Sequence, residues 1–174
     1  VNSDGLESPR GIPVVIGAQT VRYQDGVGPM ASYAGTRDTE IRSNAEAQNF
    51  GADTNLEIDG DDNGDLFALF NWQINASDLP AGSIIVGASI TLDVTNATSG
   101  PFEISRVLQS WSEMQATWAI RSTGQSWASP GASGAADRGA VLAIIGNTQV
   151  GRQTFAFNAA GVDLIKQWFS GAVS

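Results

Sequence analysis

The stretch Asn55 to Ile74, NLEIDGDDNGDLFALFNWQI, sets two alternating runs around a polar centre. Leu56 and Ile58 alternate with Asn55, Glu57 and Asp59, and residues 66–74 form a second apolar run. Period-two alternation is the pattern of a half-buried strand, and Asp, Asn and Gly between two such runs are the residues of a hairpin tip. The tip has a second reading. Asp59, Asp61, Asn63 and Gly64 match the first half of a D-x-D-x-N-G calcium loop, and the carbonyl of Asp65 could add a ligand. The twelfth loop position is Phe70 rather than the bidentate Glu of an EF-hand, so the second half does not match. Asp59, Asp61, Asn63 and Asp65 are therefore the candidate calcium ligands. Calcium is the one cofactor suggested, with the role of neutralising crowded carboxylates and stiffening the loop.

Outward from this hairpin the same alternation recurs, punctuated by Gly, Pro, Asn and Asp. It predicts strands over 13–16, 19–24, 39–42, 55–59, 66–74, 84–95, 102–108, 141–145 and 153–158. Many short strands with such spacing predict an all-β chain folded as a two-sheet antiparallel β-sandwich, with jelly-roll connectivity. Asp78-Leu-Pro-Ala-Gly82 reads as a turn, and the Gly- and Ala-rich segment 126–138 as a long ordered excursion over one end of the sandwich. One short helical turn is predicted over 159–169, with Val162, Ile165 and Phe169 on one face and Gly171 as its stop. Residues 1–17 read as an arm and 18–174 as a single domain.

Composition excludes much chemistry. The chain has no Cys and no His, so Cys or His zinc sites, Ser-His-Asp triads, thiol nucleophiles and imidazole bases are all absent. Carboxylates remain, but Glu40, Glu46, Glu57, Glu103 and Glu113 lie in separate segments, and no pair with glycosidase spacing can be named. The expectation is a protein that is not an enzyme. A net charge of -9 with eight dispersed Arg and one Lys argues against nucleic acid as a partner. No apolar run approaches the roughly 18 residues of a membrane span. The start at Val1 reads as a processed, soluble product, and the sequons at Asn75 and Asn96 permit glycosylation in a suitable host.

Several segments together resemble the DNRLRE-domain family, extracellular β-sandwich modules related to carbohydrate-binding modules. They are Tyr33-Ala-Gly-Thr-Arg-Asp-Thr39 leading into Glu40-Ile-Arg42, Asn49-Phe-Gly51, Leu69-Phe70 before the 78–82 turn, residues 87–92, and Ser110-Trp-Ser-Glu-Met-Gln-Ala-Thr-Trp118. The last is the most distinctive, and the likeness runs from about Thr20 to Trp168. It implies a noncatalytic extracellular module in which Trp111 and Trp118 belong to the core. Two departures stand out. Asp65 stands where family members commonly carry a basic residue, and the family continues past the helical turn with one or two more strands, whereas this sequence ends at Ser174.

A sandwich without its closing strands would leave backbone groups unpaired and a core uncovered. The segment Arg10-Gly-Ile-Pro-Val-Val-Ile-Gly17 is the candidate to fill that seam, through Ile12, Val14, Val15 and Ile16, either in its own chain or in a neighbour. The function expected first is thus a structural or adhesive subunit of an extracellular filament or surface layer, with copies of itself as partners. The alternative is a carbohydrate-binding module. Exposed aromatic faces stack on sugar rings, and Trp127, Tyr33 and Trp72 are the candidates for a polysaccharide partner.

Overall fold

The computed structural model describes residues 18–60 and 64–172, and within them the chain is mostly strands in antiparallel pairs with one short helix. The all-β class is thereby established. The predicted strand at 13–16 lies outside the described residues.

The run at 66–74 becomes β2 (Leu66–Trp72), which pairs antiparallel with β1 (Thr36–Arg42), placing Ile41 opposite Phe67 and Thr39 opposite Leu69. Alternation sends these four side chains to one face. Ile41, Leu69 and Thr39 are buried there, while Glu40 is buried on the opposite face. A buried carboxylate needs partners. Glu40 has the Arg42 guanidinium and the backbone N–H of Glu57, and Arg42 itself lies 4.2 Å over the Phe50 ring. The hairpin reading holds at its base, where Asp59 N–H donates to Leu66 O (3.1 Å) and Leu66 N–H returns the bond to Asp59 O (2.8 Å). Residues 55–58 stay out of the ladder, and the Glu57 N–H is diverted to Glu40.

Three further antiparallel pairs follow. β3 (Ser89–Val94) pairs with β8 (Gly151–Ala156), and β4 (Phe102–Val107) with β7 (Arg138–Ile145) through a register that shifts around Ser105. A small hairpin, β5 (Ile120–Ser122) and β6 (Gln125–Ser126), turns at Gly124. Among the described residues each strand therefore bonds to one neighbour only, in four two-stranded ladders. The 19–24 run forms no strand, and only Gln24 makes a bridge, to Gly28. The 84–95 run is ordered as β3 only from Ser89 onward.

The helix α1 (Ala159–Ser170) explains that shortening. Asn158 caps it by accepting from Gly161 N–H (3.0 Å), and its Nδ2 and backbone N–H bond the carbonyls of Val141 and Leu142. The chain that was β8 is thereby turned onto β7, so residues before Ala88 lose the neighbour that β8 supplies to β3. Within α1 the buried positions are Gly161 and Leu164, whereas the predicted face of Val162, Ile165 and Phe169 is half-buried.

The best packed cluster joins Ile41, Leu69, Ala116, Trp118, Trp127 and Ala132, with Phe67, Val107 and Trp111 against it. The Trp118 ring lies so close beneath Gly131 that a Cβ there would fall 2.5 Å from it, and Gly131 also holds a positive φ of 74°. Fully buried Asp137 ties the 126–138 excursion to the core. Its carboxylate accepts from the N–H groups of Ala128 and Ser129 (2.9 Å each), and its backbone carbonyl accepts from Leu108 (2.7 Å). Replacing Asp137 with Ala strands those two donors, so a loss of about 2–3 kcal/mol in urea unfolding is expected. An unchanged midpoint would show that the excursion is held by other means.

Candidate functional site

A cleft of about 2350 Å³ opens beside the packed cluster. Its walls come from β2, β3, β4 and α1, with Leu69, Ile90, Ile104, Leu142, Leu164 and Trp168 among the apolar side chains that face it. Protein interiors are close-packed, and a water molecule's share of volume is only about 30 Å³. The cleft also exceeds the roughly 300–1,000 Å³ of ordinary ligand pockets. Its shape follows from the pairing pattern. Among the described residues β2, β3 and β4 each have a strand on one side only, and all three line the opening.

The rim is polar and organised. Residues 18–25 run along it, ending near Tyr23, whose hydroxyl donates to Asp78 (2.9 Å) and whose ring meets Tyr33 and Phe169 edge-on. Burial, reinforced by that hydrogen bond to the Asp78 carboxylate, pushes the Tyr23 hydroxyl well above its usual range. Asp78 Oδ2 also accepts from Asn75 N–H (3.3 Å), so the 78–82 turn, Tyr23 and the end of α1 are fastened together.

On the β1 side, Glu113 accepts from Asp38 N–H (2.9 Å), and the Arg37 guanidinium stands 3.8 Å from its other oxygen. Asn49 Nδ2 holds the loop from below by donating to the carbonyls of Glu113 and Ala116, 2.8 Å each. A Cβ at position 51 would sit 2.2 Å from the Glu113 carbonyl, so only Gly allows this approach. Glu113 thus bonds backbone, as its place inside the Trp motif suggests. Asp38 has its pKa raised, first by burial and then by the neighbouring charges of Glu113 and Asp25.

The structure separates the residues singled out by sequence. Trp127 is 5% exposed, and its indole N–H donates to Thr117 O (2.9 Å), so its face is core and offers no sugar platform. Composition suggested a surface loop there, but the excursion folds inward over Trp118. Tyr33 is half-buried at the rim, and half-buried Trp72 is stacked on Phe70 with centroids 5.9 Å apart. These three do not form one surface cluster. Trp118 is core, as its motif implies, and Trp111 packs against that core. Of the candidate calcium ligands, Asp59 and Asp65 flank the hairpin base, while Asp61 and Asn63 lie outside the described residues. Among the described residues no three acidic side chains converge as a metal site would require. Ile12, Val14, Val15 and Ile16 also lie outside the described residues.

Sequence reasoning missed Ile84 and Val86. Both are strongly exposed beside the cleft, and the signal was present in the apolar run Ile84-Ile85-Val86 ahead of the alternation through Val94. Comparison of the chain with family models, curated proteins and solved structures gives no match in any of the three.

The Asp38 shift has a definite sign. A carboxyl whose pKa is raised by folding favours the folded state when protonated, so its contribution is present below the ordinary value of 3.8 and is lost as pH rises through the folded value. Asp38→Asn keeps the neutral form at every pH. It is expected to raise the urea midpoint at pH 7 and to leave it unchanged near pH 3.5, a comparison read by denaturation at the two pH values.

Proposed function

We propose that the protein is a non-catalytic, secreted structural subunit that joins copies of itself by strand complementation into a filament or surface layer. In this reading the segment containing Ile12, Val14, Val15 and Ile16 of one copy enters the cleft of the next and completes a two-sheet jelly-roll sandwich. The observation that carries it is the cleft of about 2350 Å³, lined in part by apolar side chains and walled by strands that, among the described residues, are each bonded on one side only. Exposed strand edges beside an apolar groove are what an added strand requires, since it supplies backbone bonds and side chains at once.

The resemblance to DNRLRE-domain modules supports the noncatalytic and extracellular parts of this proposal. Polysaccharide recognition has less behind it, because Trp127 is buried and Tyr33 and Trp72 are half-buried. Calcium at the 59–65 loop is an accessory in the proposal, stiffening a hairpin that ends in carboxylates.

Sedimentation velocity and electron microscopy on the full chain and on a chain lacking residues 1–17 test the reading. Polymers of the full chain that vanish on truncation are expected. A monomer in both cases contradicts it.

A further inference from the structure

Building on the strand-exchange reading, the geometry points to a specific acceptor surface: the face of residues 83–88 that carries Ile84 and Val86, covered by Ile12, Val14 and Ile16 of a second copy. Ile84, Ile85 and Val86 are apolar in succession, and from Ala88 to Val94 the apolar residues Ala88, Ile90, Leu92 and Val94 alternate with Ser89, Thr91 and Asp93. Along this run burial changes abruptly: Ile90 is 6% exposed, whereas Ile84 and Val86 are each 83% exposed on either side of a half-buried Ile85.

The cause is the ending of β8. Its last link to this strand is Phe157 N–H to Ala88 O (2.9 Å), after which Asn158 begins α1. Among the described residues no backbone hydrogen bond joins 84–87 to another segment. Among the described residues the exposed stretch is therefore also the one without a ladder partner, and it borders the cleft.

The occupant follows from composition and from where the described chain begins. Residues 84–88 are five, and Ile12-Pro-Val-Val-Ile16 offers five, four of them aliphatic and the fifth Pro13. Pro13 removes one backbone donor, which a strand added at a sheet edge tolerates. Residues before Ala18 lie outside the described residues, and Ala18 itself lines the cleft, so the segment is tethered at such an opening and in the strand-exchange reading enters that of the neighbour.

Two variants test this placement. The double variant Ile84→Asp with Val86→Asp alters side chains that are exposed in the single copy, so its melting as a monomer should match wild type, while polymer formation should be lost. The second, Val86→Cys, places a single thiol in a chain without Cys. Labelling of that thiol by a maleimide is expected to slow by about tenfold or more in the polymer. The same slowing is expected when a synthetic peptide of residues 10–17 is added to Val86→Cys protein lacking residues 1–17. Polymers that form from the aspartate variant, or an introduced thiol that labels equally fast in polymer and monomer, overturn the placement and leave the filament reading standing. If the full chain forms no polymer, the filament reading fails, and protection of the introduced thiol by the peptide alone still decides whether this surface accepts the segment. If the aspartate variant does not fold, labelling of the Val86→Cys protein decides.

Discussion

Burial of apolar side chains between facing strands is the interaction on which this structure depends, and here it is complete in one region and open in the next. In the packed region Ile41, Leu69, Trp118 and Trp127 close on one another, and the polar groups drawn in with them are satisfied: Asp137 by two backbone donors, Glu40 by Arg42 and a backbone N–H. In the open region β2, β3 and β4 present apolar side chains to a cleft, and among the described residues each has a strand partner on one edge only. The same physical rule governs both. A sheet face excludes water only when something covers it, and a backbone edge is stable only when paired or solvated.

The chain organises the boundary between these regions with local devices. Asn158 ends β8 and starts α1, which folds over β7 and leaves 84–87 without a ladder neighbour among the described residues. Tyr23, Asp78 and Phe169 then fasten the rim segment, the turn and the helix into one unit beside the cleft. The opening is framed by definite contacts on several sides.

Much of this was legible in the sequence. The alternating runs at 39–42, 66–74, 102–108, 141–145 and 153–158 all fall on strands, because period-two burial is a property of the backbone itself. Residues 55–58 were misread because a buried Glu40 takes the Glu57 N–H, a long-range claim that no local pattern records. The small hairpin at Ile120–Ser122 and Gln125–Ser126 was too short for periodicity to show. Trp127 looked exposed because its neighbours are Gly and Ala. Small residues also let a loop fold closely onto a ring, as Gly131 does on Trp118, and composition does not distinguish the two uses. The apolar run from Ile84 was visible in the sequence, but its exposure depends on where β8 ends.

The central claim is that a strand from another copy fills the cleft. Electron cryo-microscopy of the assembled full chain tests it most directly. The account predicts an extended segment in every cleft, lying over Ile84 and Val86 and traceable to residues 12–16 of the neighbouring copy. An assembly whose clefts hold their own chain's segment, or hold no segment, would contradict it.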